Sequence, residues 1–331
     1  MTHVGRGLPG VPPPDVPQDG SLDGSKDGSL DGPKDGQPVP GLPLIASDLD
    51  RTLIYSAAAL GLDVPDGEAP RLLCVEVYEG RPLSYMTETA ARLLAEIRAR
   101  DRGEDGGQSE GNGESGSGCV FVPVTTRTRA QYERVRLPGG RARYAVCANG
   151  GHLLVDGEPD PEWHEHVRRG LADCAPLDEV RVHLRAVSAG GDWVLRQRVA
   201  DELFAYLVVD RERLPQTWVK ELAAWAEPRG WTVSLQGRKI YAVPGSLTKS
   251  AAVAEVARRT GATPTLAAGD SLLDADMLLA ADGGWFPGHG ELADGGWSAP
   301  HLTALAERGV AAGERIVREM HGTTTGPRPG R

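Results

Sequence analysis

The chain has 331 residues, 40% of them hydrophobic, and a formal net charge of −10. That length and composition suit one large folded domain or two moderate ones. The acidic balance argues against a basic face for nucleic acid or any other generic polyanion, although local geometry can still hold a small anion against the net charge.

Residues 1–41 are expected to be a disordered tail. They contain DGSLDGSKDGSLDGPKDG, an imperfect repeat rich in Gly, Pro, Asp and Ser with few apolar anchors. Its spacing does not match the calcium loop of an EF-hand. A protein partner for the tail is the functional alternative, and no residue specifies one. The opening MTHVGRGLPGVPPP lacks the apolar core of a secretory signal. No stretch has the length and apolarity of a bilayer span. Cys74, Cys119, Cys147 and Cys174 are widely spaced, with no CxxC pair. These features together predict a cytoplasmic protein with reduced thiols.

In chain order, LPLIASD is a short apolar run of the kind that forms a central parallel strand. LLCVEVYEGRPLSY predicts two short strands about a Glu–Gly turn, and TETAARLLAEIRAR a helix capped by Thr87. Residues 101–118, polar and glycine-rich, predict a flexible loop. CVFVPVTTRT reads as the next buried strand, RAQYERVRL as a helix, and RYAVCANGG as a strand closed by a turn at Asn149 and Gly150. In the middle third, VRVHLRAV and WTVSLQGRKIYAVPG read as strands and LPQTWVKELAAWAEP as a helix, an α+β module. Its tryptophans read as the core of that module. After Pro244 the α/β pattern returns. A helix in LTKSAAVAEVARRTG stops at Gly261, a strand in TPTLAAGD follows, then a short helix in DADMLLAAD and a last strand in GGWFPG. HLTALAERGVAAGERIVREM predicts a terminal helix and HGTTTGPRPGR a frayed end.

Three of these apolar runs end in polar groups: Asp48 with Asp50, Thr125 with Thr126, and Gly269 with Asp270. In a parallel sheet such ends line one edge, and ligands sit just beyond it. One acid in that position is an ordinary turn or cap residue. Three such ends in one α/β chain point to a shared site. Close carboxylates cannot all stay ionised without compensation. Mg2+ prefers oxygen ligands and keeps several waters, so it compensates the charge and leaves room for a phosphate oxygen. Lys249, at the start of the helix before the last acidic end, would neutralise remaining phosphate charge; taken alone it reads as an exposed lysine.

The segments SDLDRT (47–52), VPVTTR (122–127), SLTKS around Lys249, and GDSLLDADML (269–278) occur in one order along the chain. In that order they resemble the four motifs of the haloacid-dehalogenase-like superfamily of aspartate-nucleophile phosphohydrolases. ANGG at 148–151 and GRKIYAVPGSLTK at 237–249 resemble its C2B-capped subgroup, which includes Cof-like, sucrose-phosphate and mannosyl-phosphoglycerate phosphatases and phosphomannomutase. The resemblance implies an α/β fold, with a Rossmann-like parallel-sheet core over 42–149 and 243–331 and an inserted α+β C2-type cap over 150–242. It implies that Asp48 is the nucleophile and that Asp50 is the acid and base, with its main-chain carbonyl at the metal. Thr125 would bond a phosphoryl oxygen, and Lys249 would hold the nucleophile and the phosphate. Asp270 would bind Mg2+, and Asp274 would complete or orient the metal shell.

Arg51, Thr126, Arg127, Asn149 and Arg238 are the candidate substrate-binding residues. Arg51 stands where relatives usually carry a small residue, and Leu273 where many carry Asn. Arg196, Arg198, Gln236, Arg238 and Lys239 would suit an anionic or hydroxyl-rich leaving group, or read as exposed sheet residues. His289, beyond GDSLLDADML, reads as a loop residue, with a contact at the site edge as the alternative. The implied activity is magnesium-dependent hydrolysis of a small sugar, polyol or nucleotide phosphate through an aspartyl phosphate. A phosphosugar mutase of the same fold and a non-catalytic phosphometabolite-binding scaffold are the alternatives. The expected partner is a small phosphorylated metabolite, not nucleic acid or membrane.

Overall fold

The computed structural model describes residues 41–325 apart from 63, 66 and 102–117. The expected tail over 1–41 and loop over 101–118 lie outside the described residues except at their borders. The chain begins with β1 (Leu44–Asp48), then the hairpin of β2 (Leu72–Tyr78) and β3 (Arg81–Thr87), which leads into α1 (Glu88–Asp101). The hairpin turns at Glu79 and Gly80, both with positive φ, the geometry that matches strand twist in a tight hairpin. Thr87 Oγ1 accepts the Ala90 N–H at 3.0 Å and starts α1. There follow β4 (Val120–Val124), a short α2 (Arg129–Tyr132), β5 (Tyr144–Cys147), β6 (His152–Val155) and β7 (Glu158–Pro159).

The middle of the chain carries α3 (Pro161–Leu171), α4 (Leu177–Val187), β8 (Val194–Ala200), β9 (Phe204–Val209), α5 (Trp218–Ala226), β10 (Trp231–Gln236) and β11 (Lys239–Pro244). The last part contains α6 (Lys249–Thr260), β12 (Thr265–Ala268), α7 (Ala275–Ala280), β13 (Gly283–Phe286), α8 (Glu291–Asp294), β14 (Leu302–Ala304) and α9 (Gly309–Thr325).

The large sheet has the order β14-β13-β12-β1-β4-β5-β6-β7. Strands β14 to β5 pair in parallel, and β6 and β7 are antiparallel additions. All five residues of β1 are buried, because β12 and β4 flank its edges and helices cover both faces. Leu44 and Ala46 cluster with Ala252, Val253 and Val256 of α6 on one face. Ile45 clusters with Leu94 and Ile97 of α1 and Ile316 and Met320 of α9 on the other. This two-sided burial is why LPLIASD reads as a continuous apolar run. The second sheet, β10-β11-β9-β8, is wholly antiparallel. Leu207 and Val209 on one of its faces pack with Val180 and Leu184 of α4 and Leu222 of α5.

The structure differs from the sequence reading at several elements. VRVHLRAV is helical: Leu177, Val180, Leu184 and Val187 recur at helix spacing, and Asp178 and Glu179 favour the first turn. The alternation came from Val182, which is 66% exposed on the outer side. The unexpected α3 begins at Pro161 after the capping carboxylate of Asp160, which accepts the Trp163 N–H at 2.7 Å. The unexpected β8–β9 hairpin turns at Asp201 and Glu202, non-glycine residues with φ 45° and 55°. Strands β6 and β7, in the stretch read as cap, extend the large sheet through the turn at 148–151. The expected terminal helix instead starts with β14, because the left-handed Gly309 (φ 59°) separates strand from helix. Its expected frayed end remains helical to Thr325. RAQYERVRL holds only the four-residue α2, capped by the reciprocal Thr128–Gln131 pair.

Candidate active site

Three chain segments bring their polar groups to the carboxyl edge of the large sheet. Asp48 ends β1, Thr125 and Thr126 follow β4, and Asp270 lies two residues past β12. Lys249, the first residue of α6, is fully buried and reaches between two of the acids. Its Nζ donates to Asp48 Oδ1 at 2.6 Å and to Asp274 Oδ1 at 2.5 Å. The other oxygen of Asp274 accepts from Ser271 Oγ at 2.6 Å, Ser271 N at 2.9 Å and Asp270 N at 3.2 Å. Asp274 therefore fixes both the ammonium and the loop that carries Asp270. A Cβ at Gly269 would lie 2.4 Å from the Cβ of Asp274, so glycine permits this close approach.

Asp48, Asp270 and Asp274 each offer a carboxylate oxygen within 4.8 Å of the others. All three are buried. Burial pushes the Asp48 carboxyl up to about 7; Asp274 and Asp50 add to the rise and Lys249 opposes it. Burial also raises Asp270 well above the usual carboxylate range, with Asp274 and Asp48 contributing. Lys249 is held protonated above its ordinary value, since the two acids outweigh the effect of burial. Three acids against the Lys249 ammonium and the Arg51 guanidinium still leave a net negative charge in an all-oxygen donor set, the chemistry that a hard divalent cation satisfies. The residues present therefore fit magnesium.

Asp50 is not in this carboxylate cluster. Its side chain turns to Arg127, which donates from Nε at 2.7 Å and from Nη2 at 2.8 Å in a two-pronged fork. Burial alone would raise Asp50, but Arg127 outweighs it and holds the carboxyl below its ordinary value. Only the main-chain carbonyl of Asp50 is left for the metal role expected of it. Thr125 is buried, and its Oγ1 accepts the Arg127 N–H at 3.1 Å. Thr126 is buried beside it.

Arg51 adopts φ 65°, and its Nε lies 3.1 Å from Asp270 Oδ2, so it points into the acid cluster. Asn149 faces inward: its Nδ2 donates to the Leu247 carbonyl at 2.8 Å and its main-chain N–H to Thr125 O at 3.0 Å. It ties the Thr125 loop to the approach to Lys249. Arg238 lies apart from the acids, exposed at the β10–β11 turn.

Glu76 and Glu291 went unread in the sequence, while His289 and Gln236 were weighed there and take definite places here. Glu76 is 2% exposed and accepts from Arg127 Nη1 at 2.8 Å, Ser84 Oγ at 2.7 Å and Arg134 Nε at 3.3 Å. Its signal was one carboxylate inside the apolar run LLCVEVY, where a register shift turns both Val75 and Glu76 inward. His289 is buried and accepts the Gly309 N–H at Nδ1 (3.1 Å), so its Nε2–H donates to the Arg51 carbonyl at 2.8 Å. Burial lowers its pKa to about 4, so the ring is neutral. Glu291 joins the two sheets: its carboxylate accepts from Ser234 Oγ at 2.9 Å and Leu235 N at 3.0 Å on β10, and from Leu272 N at 3.2 Å. Gln236 Nε2 adds a bond to Ser271 Oγ at 2.7 Å.

No protein-family model matches the chain, and no curated protein matches it. Solved structures do. The sucrose-phosphatase of Synechocystis sp. PCC6803, solved with sucrose and phosphate, superposes with a TM-score of 0.55 at 15% identity, covering 86% of this chain and 98% of that one. A Thermoplasma acidophilum protein, 0175, superposes with a TM-score of 0.50 at 13% identity, covering 84% and 98%. The fold is haloacid-dehalogenase-like. In that fold the β14-to-β5 sheet is the parallel core and the β10-β11-β9-β8 sheet stands over its carboxyl edge. Among the described residues no helix is long and apolar enough to cross a membrane.

Proposed function

We propose that this haloacid-dehalogenase-like protein is a magnesium-dependent phosphatase of small phosphomonoesters that works through an aspartyl phosphate on Asp48. The observation that carries this reading is the convergence of Asp48, Asp270 and Asp274 around buried Lys249. Asp48, Asp270 and the Asp50 carbonyl would hold the ion, with Asp274 orienting the Asp270 loop. When bound, magnesium draws negative charge from the transferring phosphoryl group.

Lys249 fixes Asp48 Oδ1, which leaves Oδ2 to attack phosphorus. The bond from phosphorus to the leaving oxygen breaks, and that oxygen takes a proton from Asp50. Water then attacks the phosphorus of the aspartyl phosphate, gives its proton to Asp50, and releases inorganic phosphate. The Thr125 hydroxyl accepts from Arg127 N and so keeps its own proton for a phosphoryl oxygen. The Arg127 fork holds Asp50 in the ionised form that suits the second, basic half. The first half requires Asp50 to take up a proton and loosen one prong as the ester enters. Gln236, Ser234 and Glu291 bring the antiparallel sheet against the core, and closure of that kind excludes bulk water from the intermediate.

The test is phosphate release from a broad panel of sugar, polyol and nucleotide monophosphates with and without magnesium. Release that needs magnesium and disappears in Asp48→Asn supports the reading. Isomerised sugar phosphate without net release replaces it with the mutase reaction. Binding without turnover at saturating magnesium replaces it with a sensor.

A further inference from the structure

The antiparallel sheet has an open face on the side away from α4 and α5. Register places Arg196, Val208 and Lys239 in one cross-strand row, and Arg198, Tyr206 and Tyr241 in the next. Arg196, Arg198, Tyr206, Arg238 and Lys239, together with Gln131 from α2, line a cavity of about 620 Å³. Among the described residues no carboxylate lines it. Arg196, Arg198 and Arg238 form no ion pair among the described residues. Many other arginines do, including Arg129, Arg168, Arg181, Arg213, Arg258 and Arg259.

Four cations gathered on one face of a chain with net charge −10 repel one another. Like charges on neighbouring strands destabilise a sheet unless something answers them. Two residues of the cavity lining, Lys239 and Gln131, relate it to the catalytic edge. Lys239 lies 5.7 Å from the Tyr206 ring centroid and 5.9 Å from that of Tyr241, and its charge is felt at Asp50. Gln131 belongs to the capped turn directly after Arg127, the residue that grips Asp50. A leaving group released next to Asp50 would therefore extend into the arginine-lined space.

We infer that the cavity between the antiparallel sheet and α2 binds a second anionic group, a carboxylate or a phosphate, on the leaving-group side of the substrate. This rests on the phosphatase reading for its orientation and deepens it: the preferred substrates are phosphomonoesters that carry another negative charge. Arg196, Arg198 and Arg238 supply planar forks that match either oxyanion. Lys239 supplies a point charge between that group and Asp50. The Tyr206 ring offers an apolar wall for the carbon skeleton.

The test compares matched pairs of ligands by calorimetry on the full-length Asp48→Asn protein with magnesium. Phosphoglycerate against glycerol phosphate reads the carboxylate, and a hexose bisphosphate against the hexose monophosphate reads the phosphate. The expected result is that one doubly anionic member binds about tenfold tighter or more than its partner. In Arg196→Gln combined with Arg198→Gln that ratio falls by a similar factor. Affinities within twofold in both pairs, or a ratio that survives the double substitution, overturns the inference. The same ratio is read from kcat/KM in the unsubstituted protein, so a poorly folded Asp48→Asn does not block the test. Failure of the phosphatase reading shows separately, as no phosphate release from any member of either pair.

Discussion

Lys249 carries the most consequential contacts of any single side chain. Two carboxylates share its one ammonium, and Asp270 is left to Arg51 alone. Arg51 therefore stands near the place the cation would take. Removing a positive charge beside a cation site strengthens cation binding, so Arg51→Gln should lower the magnesium concentration for half-activation several-fold. A higher requirement in a magnesium titration would contradict the placement. Arg127 is equally exposed to test. It joins Asp50 to Glu76, and its side chain is 11% exposed. Lysine cannot reproduce the fork, so Arg127→Lys should lower kcat with little loss of stability. Glu76→Ala should cost roughly 1–3 kcal/mol in urea unfolding, because Ser84 and one arm of Arg127 lose their partner while Asp50 still holds the guanidinium. These contacts explain why some site residues were unreadable in the sequence. Asp48 and Asp270 are signalled by the ends of apolar runs, and Lys249 by the resemblance of SLTKS to a family motif. Glu76 and His289 gain their roles from partners 51 and 238 positions away, a distance that no local pattern encodes.

At the scale of elements, the inner parallel strands were legible because burial on both faces leaves an unbroken apolar run, whereas the exposed edge strand β14 was read as helix. In the antiparallel sheet, β10 and β11 were legible in WTVSLQGRKIYAVPG, but β8 and β9 were not. Its open face carries Leu195, Arg196 and Arg198, so β8 lacks the clean alternation of a half-buried strand. In α4, an exposed valine imitated that alternation. The junction of α3 and α6 offers a direct stability test. Asp160 caps α3 and also receives both arms of Arg259, at 2.6 and 3.0 Å. Asp160→Ala should cost about 1–2 kcal/mol from the lost cap, read as a lowered Tm, with catalysis unaffected. The same junction carries a pH dependence. Hydrogen bonds from Arg258 and Arg259 hold Glu255 down to about 2 from its ordinary 4.5. A carboxyl lowered on folding stabilises the protein above its unfolded value and loses that contribution as pH falls through the folded one. Stability should thus decline between pH 4.5 and 2, and Arg259→Ala should flatten that decline. An identical pH profile in the variant would contradict the pairing.

For the whole molecule, two sheets meet across one acid-lined edge, and Glu291 and Gln236 link them. Binding of an ion to the native acids alone stabilises the fold by mass action. Magnesium at about 100 times its dissociation constant should raise Tm by roughly 5–10 °C, and Asp270→Asn should abolish most of that rise. An equal shift in both proteins would place the ion elsewhere. The account as a whole depends on Asp48 becoming the covalently phosphorylated group. The most direct measurement is borohydride reduction of an acid-quenched turnover mixture, followed by peptide mass spectrometry. Conversion of residue 48 to homoserine, only when substrate and magnesium are both present, is the predicted result. An unmodified Asp48 during active turnover would contradict it.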